Sequence, residues 1–271
     1  ALDPGDSARA IGVTRVGLYR RQPGGDHYEW SRRPLPVPPI VSTGFNDVTS
    51  IAVARSGGAT TWFAAHRSGP VLTSTNGGDT WTRLGTGFPA TGFPTNGGRI
   101  TLACRSTDPT VLYAMDDSAR IHRWSAADTT WRLISGLPVI PKPDGSTTTF
   151  LGTQGWYDQA MEVDPEDPLR LYIGGSTVPA LDGRLTLDSG WNWSSSVFRC
   201  EITVAGAVVS MVPTYIGASA HSDVHKLIFT PGRGDELWMG CDGGIFRSRQ
   251  PRGSGRMFAS LNRGLATMTF N

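Results

Sequence analysis

The sequence predicts an all-β chain of repeated four-stranded sheets, the blades of a β-propeller, and three observations carry that prediction. A hairpin phrase recurs along the chain, most fully as Gly69-Pro70-Val71-Leu72-Thr73-Ser74-Thr75-Asn76-Gly77-Gly78-Asp79-Thr80-Trp81. The tryptophans Trp30, Trp81 and Trp131 recur with it about 50 residues apart, the spacing of one four-stranded blade. Between copies, apolar residues alternate at period two and are punctuated by turn residues, with 34 Gly and 19 Pro in 271 residues. That combination marks strands rather than helices.

The strands of each unit are read in order. The first is a short alternating run: Val48 to Val53, Arg99 to Ala103, Gln159 to Val163 and Val224 to Phe229. The second carries aromatic residues at Trp62-Phe63, Tyr113, Tyr172 and Trp238, and Asp-Pro turns precede two copies, at Asp108-Pro109 and Asp167-Pro168. The third is the hairpin strand, as in Leu18-Tyr19-Arg20, Ile121-His122-Arg123, Val197-Phe198-Arg199 and Ile245-Phe246-Arg247. The fourth opens on Thr-Trp where that dipeptide is kept, at Thr80-Trp81 and Thr130-Trp131. The units fall at about 1–40 (partial), 41–90, 91–138, 151–217 with an insertion at 176–196, and 218–266, with 267–271 as the start of a further strand.

Such a unit cannot bury both of its faces alone, so neighbours must stack on it, and radial stacking gives a propeller. Trp30, Trp81 and Trp131 are therefore assigned to the core, with Leu112 and Leu171. About five units are visible. An incomplete ring would leave open sheet edges, so the chain is expected to belong to a larger propeller of seven blades or more, or to be completed by another chain. A small closed ring of about five blades is the alternative.

Charged residues make up only 18 % of the chain and the net charge is +2, so a nucleic-acid partner is not expected. No run reaches the roughly 18 apolar residues of a membrane-spanning helix. Cys104, Cys200 and Cys241 lack the spacing of a thiolate zinc site. A Cys200–Cys241 disulfide and three buried reduced thiols both remain open.

Ser74-Thr75-Asn76-Gly77-Gly78-Asp79-Thr80-Trp81 resembles the Asp-box (BNR repeat), with Asn76 where the family has Asp. Gln154-Gly155-Trp156-Tyr157-Asp158 with Val163-Asp164-Pro165 is similar to blades of bacterial secreted sortilin-like and xyloglucanase-like propellers. So are His221-Ser222-Asp223-Val224-His225, Asp242-Gly243-Gly244-Ile245-Phe246-Arg247-Ser248 and Leu261-Asn262-Arg263-Gly264-Leu265-Ala266. The resemblance covers nearly the whole chain. It implies a propeller fold and an exported protein, extracellular, at the cell surface or periplasmic. It does not select an activity, because its members include hydrolases and receptors alike.

Three groups of residues could carry chemistry. His221, Asp223 and His225 alternate along one expected strand and would share a face. They are candidate metal ligands, although residues about 7 Å apart on one strand converge poorly on one ion; no metal and no cofactor is expected. Asp47 and Asp223 each precede an inner strand in matching register, with Asp158 displaced by about one residue. Carboxylates at strand starts around a channel could act as the acid and base of a glycoside hydrolase, or could cap turn amides. Trp156 and Tyr157 open one inner strand, and Trp191 and Trp193 lie in the insertion at 176–196. These four aromatics are the candidate surface for a partner or a sugar. A second insertion, at 139–155, is rich in Pro, Thr and Gly.

The leading expectation is an exported, non-catalytic propeller that binds a protein partner or further blades. A xyloglucanase-like hydrolase and a non-hydrolytic polysaccharide-binding propeller are the alternatives. No Arg-Ile-Pro motif of a sialidase is present.

Overall fold

The computed structural model describes residues 1–24, 27–36, 47–67, 69–86, 98–142, 144–178, 194–218, 220–253 and 257–264. Among the described residues all regular structure is β-strand. The chain divides into two units, Ala1–Asp116 with Ile121–Leu133, and Asp117–Arg120 with Ile134–Asn271.

The first unit holds three antiparallel sheets in chain order. They are β1 (Leu2–Asp3), β2 (Asp6–Thr14), β3 (Gly17–Gly24) and β4 (His27–Arg33); β5 (Val48–Ser56), β6 (Ala59–His66), β7 (Val71–Ser74) and β8 (Thr82–Arg83); and β9 (Ile100–Arg105), β10 (Asp108–Asp116), β11 (Ile121–Ser125) and β12 (Trp131–Ser135), of which Ile134 and Ser135 already belong to the second unit. The middle sheet shows why the second strand of a unit is apolar at consecutive positions. Side chains alternate across a strand. Trp62 and Ala64 therefore pack with Ile11, Leu18 and Leu72 on one face. Phe63 and Ala65 pack with Ile100, Leu102 and Leu112 on the other. A sheet buried on both faces is what a stacked blade requires.

The hairpin between β7 and β8 is closed by side chains. The Ser74 hydroxyl donates to Asn76 Oδ1 (2.9 Å) and accepts from the Gly78 N–H (3.0 Å). Asn76 Oδ1 also accepts from the Thr80 N–H (3.0 Å), while its amide donates to the Thr80 hydroxyl (2.8 Å). Gly77 and Gly78 take left-handed φ values of 72° and 84°, which cost a residue without a Cβ nothing. The turn places Trp81 in the core, where its indole N–H donates to the Gly78 carbonyl (3.1 Å). Trp131 is buried likewise, and its indole N–H reaches the Leu84 carbonyl (2.9 Å).

Trp30 departs from the core assignment, being 51 % exposed. It lies in mid-strand, and the register Ala10–Arg21–Trp30 and Gly12–Tyr19–Arg32 puts it on the face of Gly12 and Tyr19. The opposite face carries Ile11 and Leu18 into the core. Its ring lies over Gly12, where a Cβ would come within 3.2 Å. Periodicity located this tryptophan, but strand parity turned it outward.

The second unit contains the hairpin β13 (Val139–Pro141) and β14 (Thr147–Thr149), then β15 (Ala160–Val163) and β16 (Arg170–Gly174). A short pair follows, β17 (Thr177–Val178) with β18 (Ser194–Ser195), then β19 (Phe198–Ala205) and β20 (Val208–Tyr215). The last sheet is β21 (Val224–Phe229), β22 (Leu237–Cys241), β23 (Gly244–Ser248) and β24 (Ala259–Ser260). β15, β16, β19 and β20 pair antiparallel in that order, and Ile134 and Ser135 pair parallel with Val209 and Ser210. Tyr172, Val197, Val224, Leu227, Phe229, Leu237 and Met239 form the core, with the Tyr172 and Phe229 rings edge to face at 5.2 Å.

The region at 139–155, read from the sequence as a Pro-, Thr- and Gly-rich insertion, holds a hairpin followed by a turn that buries Phe150 and Leu151. The Phe150 carbonyl accepts from the Ser176 N–H (3.1 Å) and from the Ser196 hydroxyl (2.7 Å). β17 and β18 hold the base of the insertion at 176–196; its interior, with Trp191 and Trp193, lies outside the described residues, as does the strand expected at 267–271. Cys104, Cys200 and Cys241 are free thiols, so no Cys200–Cys241 disulfide is present. Burial pushes the Cys241 thiol up to about 11 and that of Cys200 higher still, as for small apolar core residues.

Candidate functional surface

Among the described residues, the sequence-derived candidates of the second unit gather at one end of its two four-stranded sheets. β15 and β21 begin there and β22 ends there, because Val224 pairs with Cys241. The segment leading into β15 is a braced turn. The N–H groups of Tyr157 and Asp158 both donate to the Gln154 carbonyl (2.8 Å each), and the Gln159 amide donates to the Gly155 carbonyl. Gly155 passes so close to the Asp117 carbonyl that a Cβ would lie 1.9 Å from its oxygen. No other residue fits there without moving backbone.

This turn projects Trp156 and Tyr157 outward, 61 % and 43 % exposed, with ring centroids 5.4 Å apart. Tyr157 in turn meets the His225 imidazole edge on at 4.8 Å. His225 Nε2 lies 2.6 Å from Asp242 Oδ1 at the tip of the β22–β23 hairpin. Its Nδ1 lies 3.5 Å from Oδ1 of the fully buried Asp158. Trp156, Tyr157, His225 and Asp242 thus form one continuous line, with Asp158 beneath it.

Asp223 has a different role. Its φ of 61° is left-handed, a region that Asp and Asn tolerate better than most side chains. The kink ends the extended run, so β21 starts only at Val224. The Asp223 carboxylate accepts from the hydroxyls of Ser176 (3.3 Å) and Ser222 (3.2 Å), and its carbonyl accepts from the Asp242 N–H (3.3 Å). His221 lies before the kink. It is bridged to Ser194, sits over Gly243, and has Nδ1 3.3 Å from the Ser222 carbonyl. The expectation that His221, Asp223 and His225 share one strand face is therefore corrected: each has its own partners. Among the described residues no group of three His, Cys, Asp or Glu side chains is arranged to hold a metal ion.

The carboxylates at strand starts are also individually engaged. Asp47, in the first unit, is clamped by Arg67, whose guanidinium bonds its carboxylate and whose N–H donates to its carbonyl (2.8 Å). A bulge recurs at both matched strand starts, between Val48 and Ser50 and between Val224 and Lys226, so the local geometry repeats along with the Asp. Asp242 belongs to the surface although only its turn motif stands out in the sequence. The signal that finds it is the β21–β22 register, which brings the hairpin tip beside His225.

No family model matches the chain, and no curated protein matches it. Among solved structures the chain is similar to a GH74 enzyme of Niastella koreensis, with a TM-score of 0.55 and 19 % identity over 95 % of this chain and 37 % of that one. It is also similar to YCF48 from Cyanidioschyzon merolae, with a TM-score of 0.49 and 14 % identity over 96 % of this chain and 69 % of that one. A third similar structure is YCF48 bound to a D1 peptide, with a TM-score of 0.46 and 15 % identity over 94 % of this chain and 65 % of that one. The chain spans little more than a third of the length of the GH74 enzyme. The likeness to that enzyme shows the fold, a β-propeller, and no more.

Proposed function

We propose that the chain is a non-catalytic, exported β-propeller that binds a polypeptide partner through the surface of Trp156, Tyr157, His225 and Asp242. The observation that carries this reading is the pair of exposed aromatic rings on a turn held rigid by backbone and Gln159 bonds. Large rings presented on a fixed backbone make partner anchors at low entropic cost. The carboxylates argue against a hydrolase reading. An acid and base must face each other across a substrate, whereas Asp47 is tied to Arg67, Asp223 to two serine hydroxyls, and Asp158 and Asp242 flank one imidazole. We read the Ser74–Trp81 hairpin as an Asp-box turn in which Asn76 does the work of Asp, since Asn76 Oδ1 collects the bonds from Ser74 and Thr80.

Selection from a displayed library of random peptides tests this reading. Peptides enriched on the native chain are expected to lose binding to a Trp156→Ala, Tyr157→Ala double variant that melts within a few degrees of the parent. Peptides that bind both chains equally, or a glucan oligosaccharide that binds where no peptide does, would overturn it.

A further inference from the structure

The charge of this surface says more about its occupant. Two carboxylates, the buried Asp158 and the exposed Asp242, flank the imidazole of His225. Lys226, next along β21, interacts with Glu162 of β15. Asp242 is the outermost carboxylate, with its side chain 48 % exposed. Its one oxygen faces His225 and leaves the other lone pairs accessible to a ligand. On the far side of His225 lie the exposed faces of Tyr157 and Trp156. An aromatic face beside a carboxylate is the chemistry that recognises a guanidinium or ammonium group: the ring quadrupole attracts the cation and the carboxylate pairs with it. Neutral sugars would gain the stacking and a hydrogen bond to the carboxylate, but no ion pair and no cation–ring attraction.

Resting on the polypeptide reading above, we propose that the occupant is an extended segment bearing arginine or lysine, with one cation on the Trp156–Tyr157 rings and a second paired with Asp242. Same-face side chains of an extended strand lie about 7 Å apart, so alternate residues of such a segment can reach both positions. Arginine fits better than lysine, because its planar guanidinium both stacks on a ring and forms paired bonds to a carboxylate.

The test compares three probes on the intact chain: acetyl-Arg-Ser-Arg-Ser-Arg-amide, the same peptide with citrulline for arginine, and a xyloglucan oligosaccharide. Binding is read from the indole N–H resonance of Trp156, assigned with a Trp156→Phe variant. The arginine peptide is expected to shift that resonance saturably and the citrulline peptide at least about tenfold more weakly. Asp242→Asn should weaken the arginine peptide about three- to tenfold, and Asp242→Glu should restore most of the loss. Equal binding of the arginine and citrulline peptides, or unchanged binding by Asp242→Asn, would overturn the cation proposal and leave the polypeptide reading standing. If neither peptide shifts Trp156, whether or not the oligosaccharide does, the cation proposal fails. The display selection then decides the broader reading separately.

Discussion

The imidazole of His225 stands 2.6 Å from the Asp242 carboxylate, across a hairpin register that separates the two by 17 residues. The same ring reaches back to within 3.5 Å of the buried Asp158 carboxylate. His225 therefore couples an exposed carboxylate to an interior one. His225→Ala is expected to cost about 1–2 kcal/mol, because the buried carboxylate loses a polar neighbour. Asp242→Asn, which alters an exposed pair, is expected to cost less than about 1 kcal/mol. Urea denaturation of the two variants gives the comparison, and equal costs would mean that Asp158 is indifferent to His225.

Trp81 and Trp30 share a place in the repeat but not an environment. Trp81→Ala should destabilise the protein by about 3–5 kcal/mol, since it empties a buried site and strands the Gly78 carbonyl. Trp30→Ala should cost less, about 1–2 kcal/mol, because half of that side chain is already in water. Chemical denaturation of both variants checks the parity argument directly.

The contrast shows what could be read from the sequence. Period-two alternation, turn residues and consecutive aromatics such as Trp62-Phe63 specify strands and doubly buried sheets without reference to anything distant. Whether Trp30 faces in or out depends on the pairing of β4 with β3, a register that its repeat position does not reveal. Trp156, Tyr157 and His225, with the buried Asp158 beneath them, were all legible as candidates. Their grouping was not, because it depends on the left-handed Asp223, which removes His221 from the strand, and on the β21–β22 register, which adds Asp242. Trp191 and Trp193 lie outside the described residues.

Asn76 gathers three hydrogen bonds at the β7–β8 hairpin, two through Oδ1 and one through its amide. Asn76→Ala is expected to cost about 1–2 kcal/mol as the turn loses its internal acceptor. Asn76→Asp keeps that acceptor, and the Thr80 hydroxyl can donate to its second oxygen. It should change stability by less than about 1 kcal/mol. Thermal melts of the two variants distinguish these outcomes, and similar losses for both would show that the amide is the essential group.

Glu162 makes stability depend on pH near neutrality. Desolvation between β15 and β21 pushes its carboxyl up to about 7, against the opposing influence of Lys226 and the Phe229 N–H. A carboxyl raised in the folded state binds its proton more tightly there than in the unfolded chain. Its favourable contribution is complete below the unfolded value near 4.5 and is lost as pH rises through about 7. Glu162→Gln removes that titration and should flatten the fall in denaturation midpoint between about pH 5 and pH 8. An unchanged slope would assign the pH dependence to other groups.

The most direct test of a polypeptide-binding surface at Trp156 is the indole N–H spectrum of the chain with and without a peptide selected by display. The Trp156 resonance is expected to move with peptide concentration. Those of Trp81 and Trp131, bonded inside the first unit to the carbonyls of Gly78 and Leu84, should stay where they are. A selected peptide that binds while Trp156 remains unmoved would contradict the account and place the partner surface elsewhere on the propeller.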